Sequence, residues 1–241
     1  MSRFFLSPDA WGECATLTGD EAKHAAQVLR ARRGDQIVVF DGRGRSASAE
    51  IIDVSRAEVR LVLGETVEEK PLSPRICLAQ AVPKGKTMDL IVQKAVELGV
   101  SSIQPLITKN TVVQVGGDDA AKKSAKWQRV ALEACKQCGQ NVLPSVEPVR
   151  TFDEWIGDQS GTKIMASLFP GSKPLRSILR SMETADELTF LIGPEGDFTE
   201  REGKVALEAG YEPVSLGSII LRAETAAFFV MSAARYEYPD G

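Results

Sequence analysis

From about residue 72 onward the chain alternates short apolar runs with amphipathic stretches, and that alternation constrains its fold more than any other feature. "RICLAQAV" (75–82) reads as a strand. "TMDLIVQKAVELG" (87–99) reads as a helix that sets Met88, Ile91, Ala95 and Leu98 on one face and stops at Gly99. "SIQPLI" is the next strand and "KSAKWQRVALEACKQ" the next helix; "TKIMASL" and "ELTFLI" are further strands with "KPLRSILRSM" between them. "TEREGKVALEAG" follows, opened by Thr199 and Glu202 at capping-box spacing and closed by Gly210; "EPVSL" and "ETAAFFVMSAARYEY" complete the series. Consecutive strands joined by helices cannot pair as hairpins. They are expected to form a mostly parallel sheet, in an α/β fold with helices on both faces.

The first part of the chain has another rhythm. "TGDEAKHAAQVLR" has capping-box spacing at Thr18 and Glu21, and places Ala25, Val28 and Leu29 on one helical face. "QIVVF", "ASAEIIDV" and "EVRLVLGE" are short and β-branched, and "DGRGR" between the first two is a hairpin signal. These suggest a compact barrel-like module. "TVEEKPLSPR", with two prolines and a charge cluster, is the linker, so two domains are expected, 1–71 and 72–241.

Hydrophobic residues make up 43% of the 241 and charged residues 26%, enough for a substantial core. No apolar run approaches the roughly 18 residues of a membrane helix, and the apolar patch in "MSRFFLSPDAWGE" is too short for a secretory signal. The expectation is a cytoplasmic protein with no membrane partner.

A net charge of −4 argues against blanket binding to nucleic acid, but the charge is uneven. Residues 23–45 set Lys23, Arg30, Arg32, Arg33, Arg43 and Arg45 against Asp35 and Asp41. Residues 120–136 set Lys122, Lys123, Lys126, Arg129 and Lys136 against Glu133 alone. Two such patches either dock on phosphates or are solvated faces; charge alone leaves both open.

Cys135 and Cys138 form a C-x-x-C, but zinc needs four ligands, and neither a second pair nor a nearby histidine exists. A redox pair belongs at a strand-to-helix junction, whereas this one lies near a helix end. No metal site is expected. "KGKT" (84–87) ends like a phosphate-binding loop, but Gln80 stands where such a loop needs its first glycine. No G-x-G-x-x-G follows a strand. No G-x-S-x-G appears, and the single histidine, His24, lies in the first module.

Ligands of open α/β sheets bind where strand ends lead into helix N-termini. Two loops hold that position. "GPEGDF" follows "ELTFLI", with glycines that admit a ligand close to the backbone and a proline that stiffens the turn. "SLGSIILRAETAA" (215–227) mixes apolar side chains with backbone groups, then crowds Arg222, Glu224 and Thr225 at the start of the last helix. Such a lining suits a flat heterocycle better than a triphosphate.

"LIGPEGDFTEREGKVALEAG" and "VSLGSIILRAETAAFFVMSA" closely resemble the ribosomal RNA small subunit methyltransferase E family of the SPOUT superfamily. "PKGKTMDLIVQKAVELGVSSIQPL" resembles the same family's segment after the linker, and "HAAQVLRARRGDQIVVFDGRG" is similar to its PUA-like RNA-binding domain. The resemblance covers nearly the whole chain. It implies an N-terminal PUA-like β-barrel and a C-terminal SPOUT methyltransferase domain with a trefoil knot. It implies an S-adenosyl-L-methionine-dependent enzyme, a homodimer, that methylates uridine N3 in small-subunit ribosomal RNA within the assembled subunit.

By position it assigns the cofactor to Leu168, Leu191, Gly193, Glu195, Gly196, Leu216, Gly217, Ile220, Leu221 and Thr225. Uridine N3 keeps its proton at neutral pH, so transfer needs a base, or a cation that stabilises charge spreading onto the ring oxygens. Arg222 is the candidate cation and Glu224 the candidate base. Each also has a plain structural role open to it: Arg222 as a phosphate or cofactor-carboxylate ligand, Glu224 as a helix cap. RNA docking falls to Arg3, Arg30, Arg32, Arg43, Arg45 and Lys126, with Phe4 and Phe5 either stacking on a base or packing in the core. The chain departs from the family where Lys136, Cys138 and Gln140 replace its usual glutamate, serine and arginine, and where Asp197 replaces a glycine. Two other readings stay open: a SPOUT methyltransferase with another RNA target, and a non-catalytic RNA-binding assembly factor.

Overall fold

The computed structural model describes residues 1–112, 118–182 and 185–239. It divides into two compact units, Met1–Pro71 with Cys135–Leu143, and Leu72–Ala134 with Pro144–Gly241.

The first unit holds β1 (Arg3–Phe5), β2 (Cys14–Thr18), α1 (Gly19–Lys23), β3 (Gln36–Phe40), β4 (Arg45–Val54) and β5 (Glu58–Glu68). Its sheet runs β1-β3-β4-β5-β2, with β1 parallel to β3 and the other pairs antiparallel. Period-two alternation turns Ala47, Ala49 and Ile51 of β4 inward, where they meet Phe4, Leu17, Val39 and Leu61. Phe4 is therefore core, and Phe5 packs edge-on against Phe40.

The β3–β4 hairpin turns on Asp41, which is buried. Its Oδ1 accepts the backbone N–H groups of Arg43 (2.8 Å) and Arg45 (3.0 Å), and its Oδ2 takes Arg45 Nε at 2.7 Å. Burial alone would raise this carboxyl's pKa, but the Arg45 guanidinium and the two N–H donors outweigh it and hold it below the usual carboxylate range. Gly44 (φ 111°) completes the turn, since a Cβ there would lie 2.4 Å from the Glu69 carbonyl.

Two local expectations fail here. Thr18 is the N-cap of α1, but its side chain makes no capping bond, and the reciprocal bond from Glu21 is absent as well, because that carboxylate is engaged elsewhere: its Oε2 accepts the Phe5 N–H at 3.1 Å and its Oε1 pairs with Lys136. From His24 the helix widens into a π-turn (His24–Val28), with Leu29 N–H reaching back to the His24 carbonyl. That widening breaks the 3.6 period. Ala25 stays buried while Val28 and Leu29 turn outward.

Residues 135–143 join this unit through non-local hydrogen bonds. Asn141 is buried; its Oδ1 accepts from Arg3, its Nδ2 donates to Ser46 Oγ at 3.1 Å, and its carbonyl accepts Gly44 N–H at 3.2 Å. Leu143 N–H donates to the Gly42 carbonyl at 2.9 Å. Cys135 is buried and its thiol is pushed up to about 12, chiefly by desolvation, while Cys138 is exposed. Both are free thiols.

The second unit comprises β6 (Arg75–Ala81), α2 (Thr87–Glu97), β7 (Ser102–Ile107), most of α3 (Asp118–Cys138), β8 (Ser145–Val146), β9 (Arg150–Thr151), α4 (Phe152–Trp155), β10 (Thr162–Ala166), β11 (Lys173–Pro174), α5 (Leu175–Ser181), β12 (Glu187–Ile192), α6 (Glu200–Glu208), β13 (Glu212–Ser215) and α7 (Ala223–Glu237). The sheet order is β11-β13-β10-β12-β6-β7-β8, with β9 also on β7, and each of these pairs is parallel.

Both faces are covered. Ala79, Met165 and Leu191 meet Phe152 and Trp155 of α4, Ala206 of α6, Phe198 and Tyr211. On the opposite side α7 crosses β12 and β6 and packs on α2 and α5. Helix α2 buries Met88, Ile91, Val92, Ala95 and Val96, at about 1.5–3 kcal/mol for each large side chain fully removed from water. Gly99 (φ 74°) ends it in the left-handed conformation. No helix among the described residues is long and apolar enough to cross a membrane.

Candidate active site

Three adjacent strands, β13, β10 and β12, end side by side, and the loops beyond their carboxyl ends enclose a cavity of about 280 Å³. Its lining comes from Ala166–Leu168, from Ile192–Asp197 and from Ser215–Ala226.

The loop after β12 is fastened on every side. Asp197 N–H closes a turn on the Pro194 carbonyl at 3.0 Å. Glu195 Oε1 accepts Lys84 N–H at 3.0 Å. Asn110 Nδ2 donates to the carbonyls of Gly196 (3.1 Å) and Asp197 (3.0 Å). The Thr199–Glu202 capping box forms as the spacing predicts, and Glu202 Oε1 also accepts Lys109 N–H at 2.8 Å. Glu202 is only 3% exposed, so its carboxylate joins two loops and a helix start from inside.

The loop after β13 is the reverse. Ile219 and Ile220 are 77% and 75% exposed. Among the described residues no hydrogen bond engages the backbone N–H groups of Ile219, Ile220 or Leu221. The remaining wall carries Leu168, also exposed. Apolar side chains with unclaimed backbone donors and acceptors are what a purine ring needs, and the cavity's size suits a nucleoside-sized ligand.

Of the residues proposed from sequence, Leu168, Gly193, Glu195, Leu216, Gly217, Ile220 and Leu221 are brought together around this cavity, with Arg222 exposed at its edge. Leu191 is fully buried in β12, opposite Met165 of β10, below the loops. Gly196 faces Asn110 rather than the cavity. Glu224 and Thr225 lie in the first turn of α7 and do not line it. Sequence reasoning left out Ser167, Ser215, Ile219, Ala223 and Ala226, which share the lining, and the two fasteners Lys84 and Asn110. The lining residues stood next to chosen ones. Nothing local marked Lys84 or Asn110.

The sequence matches the RNA methyltransferase domain family over residues 68–235 and the RNA methyltransferase PUA domain family over residues 17–64. The ribosomal RNA small subunit methyltransferase E of Bacillus subtilis is 32% identical, covering 98% of this chain and 97% of its own length. The chain belongs to the ribosomal RNA small subunit methyltransferase E family. The Synechocystis member is 34% identical over 93% of this chain. Two solved structures are similar over nearly their full lengths, each with a TM-score of 0.90. One is a methyltransferase E from Neisseria gonorrhoeae bound to S-adenosyl methionine, 32% identical, covering 99% of this chain and 98% of that one. The other is a Legionella pneumophila methyltransferase with bound SAM, 31% identical, covering 97% and 96%. The first unit thus carries a PUA domain and the second an RNA methyltransferase fold.

The candidate RNA-binding residues of this family member differ in how committed they are. Arg30, Arg32 and Arg43 are exposed. Arg3 is half-buried, stacks on Phe40 and donates to Asn141; Arg45 is tied to Asp41 and lies over Trp11. Lys126 forms an ion pair with Asp89, with one N–O distance of 2.8 Å. These three have structural work in the fold.

Proposed function

We infer that this chain transfers a methyl group from S-adenosyl-L-methionine to N3 of a uridine in small-subunit ribosomal RNA. The observation that carries the reading is the cavity at the ends of β13, β10 and β12, with its unclaimed backbone groups and exposed isoleucines. Residues 72–241 form the methyltransferase domain, with its C-terminal part threaded as a trefoil knot, and residues 1–71 form an RNA-binding β-barrel. An experimental map tracing the backbone from β12 to α7 checks the threading.

Leu168, Leu216, Ile220 and Leu221 would flank the adenine, and Gly193, Glu195 and Gly217 would border the rest of the cofactor. When bound, the cofactor supplies an electrophilic methyl group on a sulfonium. The chain's own task is to orient the base and to stabilise charge as the N3 proton leaves. Arg222, at the cavity's edge, is the side chain for that charge. Glu224 lies off the lining and serves as the base only through a water or through substrate reach. Arg30, Arg32 and Arg43 hold the RNA backbone.

A homodimer fits one further feature. Phe229, Ala233 and Tyr236 form a stripe along α7 at helical spacing, and Phe229 and Tyr236 are exposed beside a second cavity of about 440 Å³. A monomeric mass in sedimentation equilibrium would sink the dimer.

The reaction is tested by incubating the protein with unmodified small ribosomal subunits and methyl-labelled cofactor, then digesting the RNA to nucleosides. Label in 3-methyluridine is expected; label in a cytidine, a purine or the ribose overturns the reading. Arg222→Ala is expected to lower turnover about a hundredfold while changing cofactor affinity less than about threefold. Equal losses in both would make Arg222 a cofactor ligand.

A further inference from the structure

Asp197 lines the cavity and is none of the residues assigned to the cofactor. Its backbone has φ 58°, and among the described residues only Arg30 is another non-glycine with positive φ. An L side chain in that region costs about 1–2 kcal/mol. Aspartate softens the cost by a local hydrogen bond, and Asp197 Oδ1 accepts the Phe198 N–H at 2.8 Å. That bond occupies one oxygen and needs no charge, because asparagine would make it equally well.

The position of the carboxylate points to a second role. Asp197 and Gly193 both line the cavity, and Asp197 Oδ1 lies 3.3 Å from where a Cβ on Gly193 would stand. The carboxylate thus packs against the glycine wall itself. It is half-buried, and among the described residues it takes part in no ion pair. The other charged lining residues are Glu195, held by the Lys84 backbone, and Arg222, which is exposed. The wall after β12 is therefore negative, and a ligand against it is favoured when it is positive.

We propose that Asp197 makes this cavity selective for the positively charged sulfonium form of the cofactor over its neutral thioether product. The inference rests on the cavity being the cofactor site. Donor and product share the adenosine and the amino-acid ends, and differ by one methyl group and one unit of charge at sulfur. A fixed carboxylate acts on that difference: it holds the donor and lets the spent product leave.

The test is isothermal titration of the full-length protein and of Asp197→Asn with three ligands. These are S-adenosylmethionine, S-adenosylhomocysteine, and sinefungin, which carries an amine in place of the methylated sulfonium. Asparagine keeps the left-handed backbone and the acceptor for Phe198 N–H, so only the charge is removed. Asp197→Asn is expected to weaken both cationic ligands about fivefold and to change S-adenosylhomocysteine less than about twofold. Asp197→Gly, which suits the backbone better than aspartate does, is expected to show the same loss of preference with undiminished thermal stability. The proposal is overturned if all three ligands shift by the same factor, or if none shifts. Failure of the wild-type chain to bind any of the three overturns the cofactor reading itself.

Discussion

The two long walls of the cavity are built on opposite principles. The loop after β12 is held by Lys84, Asn110 and the buried Glu202, and its turn is closed by Asp197. The loop after β13 leaves Ile219 and Ile220 exposed and, among the described residues, the backbone N–H groups of Ile219, Ile220 and Leu221 without partners. A wall fixed in advance costs no ordering when a ligand arrives. A wall with unspent donors and apolar surface supplies the contacts that reward binding. The division predicts that loosening the first wall costs stability, and affinity through lost preorganisation, whereas trimming the second costs affinity alone.

The largest expected effect is on the fixed wall. Glu202→Ala removes the capping box and takes the acceptor from the N–H groups of Thr199 and Lys109. A loss of about 3 kcal/mol is expected in denaturant unfolding. A loss below about 1 kcal/mol would mean that the wall does not depend on this carboxylate. Next comes Ile220→Ala, expected to leave the unfolding midpoint unchanged and to weaken S-adenosylmethionine about tenfold by titration calorimetry. Should it destabilise the fold instead, the contrast between the walls collapses. The smallest effect is expected from Asn110→Ala. It frees the two carbonyls of the loop without touching the cavity lining, so cofactor affinity is expected to fall about threefold. An unchanged affinity would show that Lys84 and Glu202 suffice.

Acid separates a site in the first unit in the same spirit. Asp41 has a carboxyl held below the usual range, so its contribution to stability is fully present above an unfolded value of about 4 and is lost as pH falls through the lower folded value. Asp41→Asn is expected to flatten the acid limb of the stability curve, as read by unfolding at pH 2–5.

Much of the second unit was legible because its signals are local. Apolar periodicity located the strands "SIQPLI" and "ELTFLI", which match β7 and β12 end to end. Thr199 and Glu202 form their capping box because both partners lie within one turn. The same spacing failed at Thr18 and Glu21, where a lysine 115 residues away in sequence claimed the carboxylate. The period also failed at Val28, because a π-turn inserted one extra residue into the register.

The sequence by itself determined that strands and helices alternate, that the sheet is mostly parallel, and which loops leave its carboxyl ends. Hydrophobic period and chain connectivity require that much. Only the tertiary structure decided that β10 lies between β13 and β12, so that three loops from distant parts of the chain share one cavity. It alone joined residues 135–143 to the first unit, tied Lys126 to Asp89, and set the Asp197 carboxylate against Gly193. Each of these rests on a hydrogen bond, an ion pair or a close contact made in the folded chain. No local pattern encodes which distant group will be there to make it.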